Sequence, residues 1–131
     1  MAILVVEDNE DNLALLDYLL RAHGHLPLLA RSGADGVRIA IEERPEVILL
    51  DIRMPGMDGH EVAARIKSTP GLEQIRIVAV TASVMAEDRE RIAASGFDAY
   101  IAKPIDPETF MGELERFLPE ATTADTAPGE Q

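Results

Sequence analysis

The chain alternates short, predominantly apolar runs with longer segments at helical spacing, and few folds accept that alternation. The runs are Ile3-Leu4-Val5-Val6, Leu26 to Ala30, Val47-Ile48-Leu49-Leu50, Ile75 to Val80 and Tyr100-Ile101-Ala102. Five repeated βα units predict an α/β doubly wound fold, a five-stranded parallel sheet with helices on both faces. The third run is apolar at every position, as a central strand covered on both faces requires.

Between the strands the spacing predicts five helices. Leu13, Leu16 and Leu20 form an i, i+3, i+7 stripe for a first helix from about Asp11 to His23, stopped by Gly24. A second, from about Ala34 to Glu43, turns Val37, Ala40 and Ile41 inward, and Pro45 separates it from the third strand. After turn signals at Pro55-Gly56 and Asp58-Gly59, a third near His60 to Ser68 carries Val62, Ala63 and Ile66. A fourth near Ala86 to Ser95 stops at Gly96. The last takes Asp106 as N-cap and Pro107 as its first helical residue, and buries Phe110, Leu114, Phe117 and Leu118. Residues 1–118 thus form one domain. Pro119 to Gln131 has nothing to bury and reads as a disordered acidic tail.

Composition narrows the function. At 131 residues the chain suits a single core, and a net charge of -12 with scattered basic residues disfavours direct binding to nucleic acid or an anionic membrane. Without cysteine there is no disulfide or thiolate metal site, so any metal is held by oxygen or by the three histidines. The chemistry points to a hard cation, Mg2+. His23, His25 and His60 show no metal spacing and read as solvated surface. No apolar stretch approaches the roughly 20 residues of a membrane span, and no leader pattern opens the sequence, so the expected location is the cytoplasm.

Four of the strands run into residues suited to phosphate and metal: Glu7-Asp8, Asp51, Thr81 and Lys103-Pro104. Ligands of open parallel sheets bind outside the carboxyl ends of the strands, so these residues converge if the first and third strands are neighbours at the switch point. Two carboxylates about 4 Å apart repel by roughly 4 kcal/mol at an effective dielectric of 20. Such a cluster calls for a cation, and magnesium takes one or two carboxylates while leaving room for phosphate oxygens. Asp51 is then the candidate nucleophile, able to form an aspartyl phosphate. Lys103 supplies a fixed positive charge, and Thr81 can donate a hydrogen bond to a phosphoryl oxygen. Taken singly, Asp8 could be a helix cap, Asp51 a turn cap, Thr81 a strand-end hydroxyl and Lys103 a solvated end; the joint pattern favours the site.

The opening Val-Val-Glu-Asp-Asn, the block Leu-Leu-Asp51-Ile-Arg-Met-Pro-Gly-Met-Asp-Gly, Ala79-Val80-Thr81-Ala82 and Ala102-Lys103-Pro104 closely resemble the CheY-like receiver domain of two-component response regulators, from Ile3 to Leu118. The resemblance implies a flavodoxin-like strand order 2-1-3-4-5. It also implies Asp51 as phosphoacceptor, Asp8 and the Arg53 backbone carbonyl as magnesium ligands beside Asp51, and Glu7 acting through water. Lys103 would contact the phosphoryl group, Thr81 and Tyr100 would be the switch pair, and a cis peptide would precede Pro104. Met85, Ile92 and Tyr100 would lie on a partner face built from the fourth helix, fifth strand and fifth helix. Arg53 and Ser83 occupy the positions that tune dephosphorylation in this family. Glu7 stands where many receivers have Asp, which keeps the charge.

The overall pattern resembles the stand-alone, DivK-like group of receivers. The implied function is a phosphorelay switch that takes a phosphoryl group from a sensor histidine kinase or histidine phosphotransferase and changes its affinity for a downstream protein in trans. It would be no enzyme beyond its own phosphoryl transfer and dephosphorylation. An aspartate-nucleophile phosphatase would need an acid two residues after Asp51, where Arg53 stands. A flavin site would suffer repulsion from Glu7 and Asp8. The remaining alternative is an interaction module of receiver fold that uses no phosphate.

Overall fold

A computed structural model of the chain describes residues 1–82 and 85–118. Strand and helix alternate five times: β1 (Ala2–Val6), α1 (Glu10–Ala22), β2 (Leu26–Ala30), α2 (Gly33–Glu43), β3 (Val47–Asp51), α3 (Gly59–Lys67), β4 (Arg76–Thr81), α4 (Ala86–Ala94), β5 (Ala99–Ala102) and α5 (Phe110–Glu115). The strands pair in parallel in the order β2-β1-β3-β4-β5. The chain steps outward from β1 to β2, then crosses back over β1 to β3. Right-handed crossovers of this order put helices on both faces. Position Ser83 and the segment from Pro119 to Gln131 lie outside the described residues.

Strand periodicity divides the core in two. Ile3, Val5, Val47, Leu49, Val78 and Val80 point to the face covered by α1 and α5, where Leu13, Leu16, Leu20, Phe110 and Leu114 meet them. Leu4, Val6, Ile48, Leu50, Ile77 and Ala79 point to the other, under Ala40 of α2, Val62, Ala63 and Ile66 of α3 and Ile92 of α4. Every residue of β3 is buried, Asp51 included, and the unbroken apolar run from Val47 to Leu50 anticipates the burial of the first four.

The first three helices start on capping side chains. Asn9 Oδ1 accepts from the Asn12 N–H at 2.9 Å, Ser32 Oγ from the Asp35 N–H at 3.2 Å, and Asp58 Oδ1 from the Glu61 N–H at 3.0 Å. Two expectations are corrected. In α2 the inward face is Gly33, Gly36 and Ala40, with Val37 partly buried, while Ile41 is 47% exposed. A Cβ at Gly36 would stand 2.8 Å from Val6 Cγ2, so the helix lies against β1 along its small residues. Ile41, one residue or 100° beyond Ala40, is turned out. The last helix begins at Phe110 rather than Pro107. Asp106 Oδ1 accepts from the Glu108 N–H at 2.9 Å and its carbonyl from the Phe110 N–H at 2.8 Å, closing a turn before the helix. Phe110 and Leu114 are buried as expected; Phe117 and Leu118 follow the helix end and are partly buried.

The orientation of α2 and the depth of β3 are open to one comparison. Leu50→Ala is expected to lower stability by about 2–5 kcal/mol, and Ile41→Ala by no more than about 0.5 kcal/mol, in urea denaturation. A large loss at Ile41 would contradict the outward placement.

Candidate functional site

The strand register gathers the candidate residues at one edge of the sheet. Val6 pairs with Leu50, Asp51 with Val80, and Thr81 with Ala102. The residues at or just after these strand ends, Glu7, Asp8, Asp51, Thr81 and Lys103, therefore share the carboxyl edge. β1 and β3 meet there as neighbours although α1, β2 and α2 separate them in sequence, which makes this the topological switch point. Among the described residues the buried polar or charged side chains are Glu7, Asp51 and Thr81. All three are at this edge, so the protein spends its buried polarity in one place.

Glu7, Asp8 and Asp51 each present a carboxylate oxygen within 4.8 Å of the others, with Asp8 exposed and the other two buried. Lys103 lies between the buried pair, its Nζ 3.2 Å from Glu7 Oε1 and 3.5 Å from Asp51 Oδ1. One ammonium against three carboxylates leaves an excess of negative charge. Burial first, and the neighbouring Glu7 charge second, push the Asp51 carboxyl up from 3.8 to about 6; Lys103 and the Arg53 N–H, 3.2 Å from Oδ1, partly oppose them.

Glu7 Oε1 is buried without an aligned hydrogen-bond donor, the Lys103 ammonium being close but poorly directed, whereas Oε2 accepts from the Asn9 N–H at 3.1 Å. A buried carboxylate oxygen left in this condition, inside an all-oxygen donor set, fits a hard divalent cation.

The remaining predicted residues take separate positions. The Lys103-Pro104 peptide is cis, and the Lys103 N–H donates to the Thr81 carbonyl at 2.8 Å, fixing the end of β5 to that of β4. Arg53 and Thr81 line a cleft of about 450 Å³ beside Asp51, with Asp58, His60 and Arg91 on its walls. Tyr100 stands opposite Ala79 on the β4–β5 ladder, 36% exposed, and borders a second cavity of about 510 Å³ with Ile92, Phe97 and Phe117. Met85 is 65% exposed at the start of α4. Ile92, expected on an exposed face, is only 3% exposed and packs in the core beneath α4, reaching just the floors of the two cavities.

His60 departs most from its expected role as solvated surface. Its Nδ1 is 2.7 Å from Ser95 Oγ, and its ring meets Phe97 edge to face with centroids 5.8 Å apart. Both partners lie at the far end of α4, and no local sequence signal joins them to His60.

The model of the response regulator receiver domain family matches residues 3–115. The chain is 38% identical over 120 residues to the polar-differentiation response regulator DivK of Brucella anthropi, covering 92% of this chain and 98% of that protein. In structure it is similar to the chemotaxis protein CheY4 of Vibrio cholerae (TM-score 0.85, 26% identity, 89% of this chain and 98% of that one). It is also similar to the receiver domain of a Pseudomonas aeruginosa sensor histidine kinase with a magnesium ion coordinated in its active-site cleft (TM-score 0.80, 33% identity, 88% and 95%).

The raised Asp51 carboxyl has a pH signature. A carboxyl protonated more readily in the folded than in the unfolded chain stabilises fully below about pH 3.8, and that contribution is lost as pH rises through about 6. Asp51→Asn is expected to be more stable than the parent in chelator at pH 7.5, on the order of 1–3 kcal/mol, and to lose the advantage near pH 4. Urea midpoints across this range test it, and a difference independent of pH would refute the assignment.

Proposed function

Because this chain belongs to the response regulator receiver family, the phosphorylation-activated switches of two-component signalling, we propose that Asp51 is its phosphoacceptor. The observation that carries the proposal is the buried Asp51 carboxyl held between a second acid and Lys103 at the switch point. In the transfer an Asp51 carboxylate oxygen attacks phosphorus as the phosphorus–nitrogen bond of a donor phosphohistidine breaks. The imidazole departs with the bonding electron pair and regains a proton, and the acid becomes an acyl phosphate. The chain's part is to position the carboxylate and to balance charge, since phosphoryl transfer depends on little else.

Asp8 and Asp51, with Glu7 through water and the Arg53 backbone carbonyl, are the residues that would hold Mg2+. Bound there, the ion would neutralise phosphoryl oxygens that three acids would otherwise repel. Lys103, already within 3.5 Å of Asp51, offers its ammonium to another phosphoryl oxygen. Thr81, at the end of the neighbouring strand, offers its hydroxyl. On this reading Thr81 moves toward the new phosphoryl group and Tyr100 turns inward from the border of its apolar cavity.

The partners on this reading are a sensor histidine kinase or histidine phosphotransferase as donor and a downstream protein on the α4–β5–α5 face. A net charge of -12 opposes direct contact with nucleic acid. No helix of the described residues is long and apolar enough to cross a membrane, and the proposed location is the cytoplasm.

Incubated with magnesium and a small acyl-phosphate donor, the protein is expected to gain the mass of one phosphoryl group, and to gain nothing after Asp51→Asn or with chelator. Uptake by neither this donor nor a phosphohistidine protein would favour a phosphate-independent module. Lys103→Ala is expected to slow uptake by about a hundredfold, the scale of losing one charge-stabilising contact in a transition state. Magnesium is also expected to raise the thermal midpoint of the parent, and much less so that of Asp8→Asn.

A further inference from the structure

His60 lines the cleft beside Asp51, Phe97 lines the apolar cavity bordered by Tyr100, and the two rings meet edge to face. We propose that Gly59 and His60, at the first turn of α3, form a mechanical link that carries the phosphorylation state of Asp51 to Ser95 and Phe97 at the end of α4. This rests on Asp51 being the phosphoacceptor, and it adds a connection that does not pass through Thr81.

The link begins with a contact only glycine allows. A Cβ at Gly59 would stand 2.6 Å from Ile52 Cα and 2.7 Å from the Asp51 carbonyl oxygen, and the Gly59 N–H donates to the Ile52 carbonyl at 2.8 Å. The first residue of α3 therefore rests on the peptide that follows the nucleophile. A displacement of that peptide has no soft side chain to absorb it.

The next residue passes the contact on. Ser95 Oγ donates its single proton to the Arg91 carbonyl at 2.9 Å, so at the 2.7 Å contact it must accept, and His60 Nδ1 must be the donor. Burial first, and the nearby Arg91 charge second, push the pKa of His60 down. One bond thus runs through the ring to Ser95 and on to the last turn of α4, while the ring presses on Phe97, a wall of the cavity that includes Tyr100. His60 is a positioning residue here and touches no reacting atom.

The test measures backbone amide shifts by NMR before and after phosphorylation of the whole chain by a small acyl phosphate with magnesium, with uptake followed by intact mass. In the parent the amides of Ser95, Phe97 and Tyr100 are expected to shift. In Ser95→Ala, uptake is expected to stay within about twofold of the parent, the Phe97 shift to fall to less than half, and the Tyr100 shift to persist through Thr81. Ser95→Thr, which keeps the hydroxyl, is expected to restore the Phe97 response. Should Ser95→Ala fail to fold, His60→Gln is judged by the same criterion. An undiminished Phe97 shift in a phosphorylated variant, or none in the phosphorylated parent, overturns the link and leaves the role of Asp51 intact. A parent that takes up no phosphoryl group overturns the role of Asp51 and the link with it.

Discussion

Two carboxylates buried side by side, Glu7 and Asp51, with one ammonium between them, are the constraint around which this molecule is arranged. Charges removed from water are tolerated only when paired, hydrogen-bonded or neutralised by protonation. Here pairing is incomplete. Lys103 serves both acids, one Glu7 oxygen has no aligned donor, and Asp51 responds by holding its proton to about pH 6. The imbalance is local and chemical, and the all-oxygen donor set beside it is compatible with a small divalent cation.

The rest of the fold holds that arrangement in place. Strands buried over nearly their whole length on both sides of the switch point fix the carboxyl edge, because sliding any of them by one residue would exchange its two faces and disrupt both halves of the core. Close backbone approach then sets the surroundings. Gly36 lets α2 lie against Val6, and Gly59 lets α3 rest on the Asp51–Ile52 segment. The helix that starts at Gly59 also reaches α4 through His60. Asp51, α3 and the end of α4 are consequently packed in series.

Much of this was legible in advance because the relevant signals are local. A run such as Val47 to Leu50 can be satisfied only by burial on both faces, and an acid, hydroxyl or lysine directly after such a run can only stand at the strand's carboxyl end. What escaped depended on geometry around a helix or across the core. Ile41 is apolar and near the correct face, yet the nearness of Gly36 to Val6 rotates the helix so that Ile41 is exposed. Asp106 followed by Pro107 has the local pattern of a helix start, but its side chain closes a turn two residues on and delays the helix to Phe110. Ile92 lies on the surface helix expected, with its side chain in the core.

The sequence by itself determined the βα alternation, the buried strands, the set of residues at their carboxyl ends and the excess of acid, since each follows from hydrophobic periodicity or from composition. Only the tertiary structure decided that Lys103 stands within 3.5 Å of both Glu7 and Asp51, that Glu7 keeps an oxygen without an aligned donor, and that His60 bonds to a serine 35 residues away. Those facts depend on distances between segments remote in the chain. Such distances are set by how the helices settle on the sheet, and a linear pattern of residue types does not encode them at the ångström scale on which charge and hydrogen bonding act.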